Sequence, residues 1–241
     1  MKKYFIALLF FPYVLHAKVL DDTFDLSQLE GVKLGYYVGS FDPIHLGHQH
    51  VIEKALQNVD YLLVYPVPGG DSFKNRSPVA LRQNMIASVY KDHPKVLITT
   101  WTPKKLQDAI SSALPKLDVV GIIGSDDVTE SLFSQDEEKN KKYLSIFMRG
   151  IALKESHYED TFGALMALRA DSFLVAIRNG EDFSYLMGKI GDRPICGFIP
   201  STDHSSTQVR NAILNKQPFE HLVSSSVRQY IEQQGLYTAV K

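Results

Sequence analysis

The sequence has few of the features that cross-link a chain or give it a strong electrostatic field. Cys196 is the only cysteine among 241 residues, which excludes an intramolecular disulfide and a cysteine-based zinc site. It lies in an apolar run, so we expect it to pack rather than react. The 26 Lys and Arg residues against 27 Asp and Glu residues give a formal net charge of -1. Without a basic field, nucleic-acid binding through phosphate neutralisation is disfavoured and a small ligand is favoured.

Internal repeats and low-complexity tracts are also missing, and no long apolar run follows the N-terminal segment. Hydrophobic residues make up 44% of the chain and charged residues 22%, an ordinary balance for a globular protein. A chain of 241 residues can form one α/β domain with a continuous core. We therefore expect one domain over residues 18–241, without a stable membrane anchor.

The first seventeen residues resemble a secretory signal peptide. Lys2 and Lys3 precede an apolar stretch over residues 4–15, which is too short to span a bilayer comfortably. The alternative is a buried N-terminal strand or helix, because Leu15 stands where a signal peptide usually has a small residue. We predict a signal peptide over residues 1–17 and a periplasmic or secreted protein if it is cleaved. An uncleaved leader would leave the protein cytoplasmic.

From Val32 onward, short β-rich runs alternate with helical patterns, and several runs are unbroken apolar stretches typical of parallel strands covered on both faces. This order predicts an α/β fold: a doubly wound, Rossmann-like parallel sheet with helices on both faces, a helical insertion or lid over residues 136–170, and C-terminal helices. The predicted strands are residues 33–38, 61–65, 96–99, 117–123, 173–177 and 195–199. The predicted helices are residues 46–56, 79–89, 103–114, 181–189 and 222–233, with another that starts at residues 205–207.

A segment rich in glycine and histidine follows the first predicted strand. It leads into a helical pattern and reads Gly39-Ser40-Phe41-Asp42-Pro43-Ile44-His45-Leu46-Gly47-His48. In an open α/β sheet, ligands bind at the carboxyl ends of strands, where a strand-to-helix turn presents backbone N–H groups to an anion. Gly39 permits close backbone approach, and Gly47 lets a ligand or a neighbouring element lie against the helix start.

The two histidines of this segment are three residues apart on the first helical turn, so both rings can point at one phosphate. A transferring phosphoryl group needs hydrogen-bond donors where negative charge accumulates, and imidazoles near a helix N-terminus supply them. The alternative is a zinc pair on a helix, but the neighbouring sequence does not complete a zinc ligand set. The pair therefore favours phosphate chemistry, and we predict no protein-bound metal site.

Residues 39–48 resemble the HxGH nucleotidyltransferase superfamily, whose motif Gly-x-Phe-x-Pro-x-His-x-Gly-His they match at every fixed position. In that superfamily the two histidines contact the ATP phosphates and stabilise the transition state. The resemblance therefore implies catalytic roles for His45 and His48. The nucleotide-binding residues that it implies in the same segment are Gly39, Ser40, Phe41 and Gly47.

A second segment, Ser205-Ser206-Thr207-Gln208-Val209-Arg210, has hydroxyl side chains at a predicted helix start. Taken alone, it is a helix cap followed by a solvated arginine. It resembles the superfamily's second signature, Ser-Ser-Thr-x-Ile-Arg, which implies nucleotide binding by Ser205, Ser206 and Thr207. The same resemblance implies a catalytic Arg210, whose planar guanidinium can hold two phosphate oxygens at once. One departure is His204, which stands where the family has an apolar residue.

The likeness to bacterial nicotinate- or nicotinamide-mononucleotide adenylyltransferases covers most of the chain. A Gly-Ser-Asp turn after the predicted strand 117–123 resembles their Gly-Ala-Asp, whose aspartate contacts ribose. An Arg-Asn-Gly turn after the predicted strand 173–177 resembles their Arg-Pro-Gly, and the ending Gly235-Leu236-Tyr237 is also similar. The further nucleotide-binding residues that this resemblance implies are Gly124, Asp126 and Arg178.

Four residues match the substrate side of the same enzymes. Lys74, in a loop after the second predicted strand, can reach a phosphate, whereas Arg82 either contacts substrate or is solvated. Trp101 either stacks on a pyridine ring or packs in the core. Thr102 precedes Pro103 as a helix N-cap and matches the family's aromatic–threonine helix start.

These resemblances imply transfer of AMP from ATP to nicotinate or nicotinamide mononucleotide, with release of pyrophosphate and with Mg²⁺ entering on ATP. The expected partners are ATP and a small phosphorylated substrate. Whether the protein forms a homo-oligomer is left open. One alternative keeps the chemistry but uses pantetheine phosphate as acceptor or transfers a cytidylyl group. The other is an exported nucleotide-binding effector with lost or redirected catalysis, because ATP is scarce outside the bacterial cytoplasm.

Overall fold

The computed structural model describes residues 18–67, 76–125, 170–177, 188–190 and 193–238. Within these ranges, eight strands form one sheet in the order β1-β4-β3-β2-β5-β6-β8-β7. Neighbouring strands pair in parallel, except that β7 and β8 are antiparallel. The strands are β1 Lys18–Leu20, β2 Lys33–Gly39, β3 Tyr61–Pro66, β4 Val96–Thr99, β5 Asp118–Gly124, β6 Ser172–Ile177, β7 Lys189–Ile190 and β8 Arg193–Pro200.

Helices cover both faces of the sheet. Successive residues of β3 alternate between two apolar cores, with Leu62 and Val64 in one and Leu63 and Tyr65 in the other. The first core contains residues of α1, α2, α4 and α5, and the second contains residues of α3 and a 3-10 helix. The predicted doubly wound α/β fold is therefore confirmed. The helices are α1 Leu46–Ala55, α2 Val79–Tyr90, α3 Pro103–Ala113, α4 Ser206–Leu214, α5 Ser225–Gln234 and the 3-10 helix Leu26–Leu29.

The six predicted strands are all present, and their ends differ from the predicted ends by no more than two residues. The predicted helix over residues 181–189 is wrong at its end, because Lys189 begins the short antiparallel strand β7. Residues 181–187 lie outside the described ranges, as do the predicted signal peptide over residues 1–17 and residues 136–169 of the predicted insertion. None of the helices in the described ranges combines the length and apolar character that a bilayer span requires.

The edge strand β1 is an element that the sequence patterns do not reveal. It is only three residues long and pairs with β4. Leu20 is fully buried, and its carbonyl accepts a hydrogen bond from Thr99 Oγ1 at 2.6 Å. A strand this short carries too few residues for an alternation pattern, so pairing with β4 rather than local preference determines it.

Cys196 is exposed, so the expectation that it packs in the core is wrong. The apolar run of β8 alternates between faces: Cys196 and Phe198 are exposed, whereas Ile199 is buried. Cys196 Sγ lies 3.3 Å from the carbonyl oxygen of Phe173. Strand β8 is next to the last strand of the sheet and does not have the two-sided cover that an unbroken apolar run usually indicates.

The chain reverses its direction of travel across the sheet at β2. From β2 the chain passes to β3 and β4 on one side, and then returns to β5 on the other side of β2. Connections that diverge from two neighbouring strands leave a crevice at their carboxyl ends, where open α/β sheets bind ligands. Gly39 ends β2 and Gly124 ends β5, so the two glycines border this crevice.

Candidate active site

The turn between β2 and α1 is built around a buried phenylalanine. Phe41 is fully buried and has a positive φ of 47°, a conformation that non-glycine residues rarely adopt. Its ring packs edge-on against Tyr37 at 5.2 Å between centroids and lies 4.8 Å from the His48 ring. A Cβ on Gly39 would lie 3.1 Å from the same ring, so glycine at the strand end makes room for Phe41.

The side chains of His45 and His48 cap the N-terminus of α1, and each accepts a hydrogen bond from the backbone N–H of the other. His45 Nδ1 accepts a hydrogen bond from the His48 N–H, and His48 Nδ1 accepts one from the His45 N–H, both at 3.3 Å. The two rings stack at 3.6 Å between centroids. A ring nitrogen that accepts a hydrogen bond carries no proton, so each neutral imidazole has its proton on Nε2. The capping box therefore makes Nε2 the donor atom of each neutral ring.

Burial favours the neutral form of His48. It lowers the pKa of His48 well below the ordinary value of 6.5, and the neighbouring His45 lowers it further. His45 itself is only 6% exposed. A protonated Nδ1 would lose its bond to the helix backbone, so the neutral form is the one that fits the cap. Two neutral N–H donors at the positive end of the α1 dipole suit an anion.

Gly47 stands between the α1 start and the turn that follows β8. A Cβ at this position would lie 2.8 Å from Thr202 Oγ1 and 3.0 Å from two atoms of the His45 ring. Any larger residue would push against both groups. Gly47 therefore lets the β8–α4 turn approach the two histidines.

The second motif meets the first through direct hydrogen bonds. Ser206 Oγ donates to the Pro43 carbonyl at 2.9 Å, across 163 residues of sequence. Arg210 donates from one terminal nitrogen to the Asp42 carbonyl at 2.6 Å and from the other to Thr207 Oγ1 at 3.1 Å. The start of α4 is thereby held against the β2–α1 turn. With five N–H donors, the Arg210 guanidinium keeps donors for a phosphate.

The cap of α4 is a second capping box, in which Ser205 Oγ accepts from the Gln208 N–H at 3.2 Å and Gln208 Oε1 accepts from the Ser205 N–H at 2.7 Å. Ser205 is thus bound to its own helix, whereas Ser206 reaches the other motif. On the opposite side, Ser40 Oγ accepts a hydrogen bond from Arg76 Nε at 2.8 Å. The structure therefore brings together the site residues predicted from the two motifs, and Arg76 adds a cation that the sequence patterns did not single out.

The structure corrects the predicted role of Arg82, which is 1% exposed and neither solvated nor open to substrate. Its three guanidinium nitrogens donate to the carbonyls of Ser77, Ser40 and Val67 at 2.8, 2.7 and 2.6 Å. Burial lowers the Arg82 pKa to about 10, against the opposing effect of Asp42. Arg82 therefore joins the three backbone segments that contain Ser40, Val67 and Ser77.

Trp101 lies in the core on the α3 side of the sheet, whereas Phe41 and Ile44 of the first motif lie in the other core. Trp101 is 7% exposed within the core that contains α3, and its Nε1 donates to Asp22 Oδ1 at 3.2 Å. Of the two roles left open for Trp101, packing is therefore the one observed. Thr102 is exposed and caps α3 by accepting the Lys105 N–H at 3.3 Å. The remaining predicted residues Lys74, Asp126 and Arg178 lie outside the described ranges, so their roles stay predictions.

A buried carboxylate beneath the turn was not among the predicted site residues. Asp42 is 4% exposed, and its two oxygens accept from the Tyr237 hydroxyl at 2.6 Å and the Ser77 N–H at 2.9 Å. Burial and then the Asp42 charge raise the pKa of Tyr237 above its ordinary value, so Tyr237 stays a donor. The similar Gly-Leu-Tyr ending was the only sequence signal for this contact.

Residues 36–212, which include both motifs, match the cytidylyltransferase-like family. The match covers well over half of the chain, and the protein therefore belongs to this family.

Two individual relatives differ in how much of their length resembles this chain. A probable nicotinate-nucleotide adenylyltransferase of Fusobacterium nucleatum subsp. nucleatum is 23% identical over 206 residues, which cover 84% of this chain and 98% of the relative. A phosphopantetheine adenylyltransferase of Paracoccus denitrificans is 33% identical, but over 66 residues that cover 27% of this chain and 38% of the relative. The similarity to the first relative thus extends over almost its whole length.

A solved structure has the same fold. The Plasmodium falciparum nicotinic acid mononucleotide adenylyltransferase complexed with NaAD aligns with a TM-score of 0.60 and covers 85% of this chain and 97% of its own. The two sequences are 15% identical over that alignment. The arrangement of strands and helices is therefore shared although few residues are.

Proposed function

We propose that this protein transfers AMP from ATP to a pyridine mononucleotide, either nicotinate or nicotinamide mononucleotide, and releases pyrophosphate. The observation that carries the proposal is the meeting of the first motif, with His45 and His48 at the start of α1, and the second motif, with Ser206 and Arg210 at the start of α4. The near full-length similarity to a nicotinate-nucleotide adenylyltransferase supports the acceptor class. The pantetheine-phosphate relative is similar over a much shorter stretch and supports that acceptor less.

In this reaction an oxygen of the acceptor phosphate attacks the α-phosphorus of ATP in line. A bond forms between that oxygen and the α-phosphorus, and the bond from the α-phosphorus to the bridging oxygen breaks, so that pyrophosphate leaves. The attacking phosphate is already ionised, so no general base is needed and catalysis consists of positioning and charge stabilisation. We assign the charge stabilisation to His45, His48 and Arg210.

The Mg²⁺ that we propose for the reaction is carried by the nucleotide. Among the described residues, no group of three or more His, Cys, Asp or Glu side chains is arranged to hold a metal. We propose that Mg²⁺ arrives on the β- and γ-phosphates of ATP, where it neutralises charge on the leaving group. The half-buried Gly124 at the end of β5 borders the crevice on the side that we assign to the adenosine.

Acceptor choice is tested by incubating the purified chain with ATP and Mg²⁺ and each acceptor in turn. We expect pyrophosphate release with nicotinate or nicotinamide mononucleotide, and a dinucleotide product by mass spectrometry. Release only with pantetheine phosphate, or only when CTP replaces ATP, would move the proposal to that acceptor or nucleotide. Nucleotide binding without release under every condition would contradict the enzymatic proposal and favour an exported nucleotide-binding effector.

We also propose that residues 1–17 are removed on export, because Lys2 and Lys3 precede an apolar stretch of signal-peptide length. N-terminal sequencing of the protein recovered from cells is expected to begin at Lys18. A chain that begins at Met1 would contradict export by this route.

A further inference from the structure

A third imidazole lies beside the two histidines of α1. His204 is half-buried in the turn between β8 and α4, directly before the N-cap Ser205. Its ring centroid is 6.5 Å from that of His45, and the two ring planes differ by only 18°. His48, His45 and His204 therefore present three rings along one side of the phosphate site.

The orientation of His204 is set by Thr202. His204 Nδ1 lies 2.8 Å from Thr202 Oγ1, a hydrogen-bond distance. Thr202 Oγ1 is in turn held close to the α1 start, 2.8 Å from the place that a Cβ on Gly47 would occupy. The hydroxyl thus connects the His204 ring to the first motif. In the tautomer in which the Thr202 hydroxyl donates to Nδ1, the ring proton lies on Nε2, and this is the tautomer in which His204 would donate to a ligand.

His204 lies directly before the start of α4 in the chain, whereas His45 and His48 lie at the start of α1. It precedes the helix whose Ser206 and Arg210 bind the carbonyls of Pro43 and Asp42. A triphosphate that contacts His45 and His48 and reaches the start of α4 extends toward the turn that carries His204. A phosphate oxygen in the plane of the His204 ring, beside Nε2, would accept a hydrogen bond from it, and such charge-assisted bonds are among the stronger ones.

We propose that His204 is a further catalytic residue, which donates from Nε2 to the β- and γ-phosphates of ATP and to the departing pyrophosphate. The proposal rests on the proposed adenylyl transfer and deepens it, because it assigns the leaving group to a residue that the family signature does not include. An apolar residue at this position would supply no donor. His204 thus adds a hydrogen bond to the leaving group that the two shared motifs do not provide.

The test compares ligands with and without the β- and γ-phosphates. Inorganic pyrophosphate, ATP and AMP, each with Mg²⁺, are titrated by calorimetry into the full chain and into His204→Ala and His204→Gln. Loss of one hydrogen bond to a charged group corresponds to about 10-fold weaker binding. We expect H204A to weaken pyrophosphate and ATP binding by about that factor, with AMP binding nearly unchanged. H204Q, which keeps an N–H donor, is expected to recover part of the loss.

Two further variants separate a contact with ligand from a structural effect. Thr202→Val removes the hydroxyl that orients the ring, and it is expected to weaken pyrophosphate binding by a smaller factor than H204A. His93→Ala removes a half-buried imidazole from the turn before β4, at the opposite end of the strands, and is expected to change none of the affinities. Thermal unfolding of each variant reports whether it is folded.

The outcomes distinguish this inference from the proposed function. Equal losses for AMP and pyrophosphate, or full pyrophosphate affinity in H204A, would overturn the role of His204 while wild-type turnover leaves the proposed function intact. A wild-type protein that binds neither ATP nor pyrophosphate would overturn both. If H204A is unfolded, the same comparison in H204Q and T202V decides: unchanged pyrophosphate affinity in both overturns the role, and a selective loss in T202V supports it.

Discussion

Replacement of His48 by Ala is expected to lower kcat by about 10²–10³-fold while the Kd for ATP changes far less. The His48 Nε2–H would be most valuable when charge accumulates on the phosphates in the transition state, and less so when ATP is merely bound. Steady-state kinetics and direct ATP titration measure the two quantities. A loss confined to ATP affinity and KM, with kcat unchanged, would contradict this role.

His48 also caps α1, so its two roles must be separated. His48→Ala removes the acceptor for the His45 N–H and is expected to cost about 1 kcal/mol of stability. His48→Gln restores an acceptor at the position where capping boxes commonly have glutamine, but it has no imidazole. We expect H48Q to recover stability and not turnover. His50→Ala, two residues further along α1 and on another side of the helix, is the matched histidine control.

Replacement of Arg82 by Met is expected to lower the free energy of unfolding by about 3–5 kcal/mol. Methionine fills part of the space, but the buried contacts to the carbonyls of Ser77 and Val67 and the partly buried contact to the Ser40 carbonyl lose their donors. Asp42 would also lose the nearby positive charge of Arg82. Urea unfolding followed by linear extrapolation measures the effect.

A surface arginine provides the comparison. Arg228 on α5 is 44% exposed and pairs with Glu232 and Glu220. Arg228→Met is expected to cost no more than about 1 kcal/mol, because exposed ion pairs are screened by solvent. Similar losses in R82M and R228M would mean that the buried hydrogen bonds contribute little. R82M is also expected to lower turnover, since Arg82 holds the carbonyl of Ser40, which follows β2 at the border of the crevice.

Local spacing was sufficient to predict part of this site. Two histidines three apart at a helix start are neighbours whatever the rest of the fold, and their capping box uses only atoms of the same turn. The N-caps Thr102 and Ser205 were predicted correctly for the same reason. The alternation of strands and helices also determined the fold class, since crossover connections of one hand leave few arrangements of a parallel sheet.

Residue type alone predicted the role of a side chain less well where that role depends on burial. Arg82 and Trp101 matched the substrate side of the family, yet both are buried, and Cys196 in an apolar run is exposed. Whether a side chain on a helix or strand faces the core depends on what covers that element. The sequence around each residue does not contain that information.

The amino-acid sequence by itself determined the strand–turn–helix units, the caps and the pairing of His45 with His48, because neighbouring residues establish each of them. Only the tertiary structure decided how they assemble. Asp42 meets Ser77, Arg210 and Tyr237 across 35, 168 and 195 residues of chain. His204 lies near His45 because the turn that carries it follows the carboxyl end of β8. Such contacts form because the parallel sheet brings the carboxyl ends of distant strands to one edge, where buried polar groups must find partners.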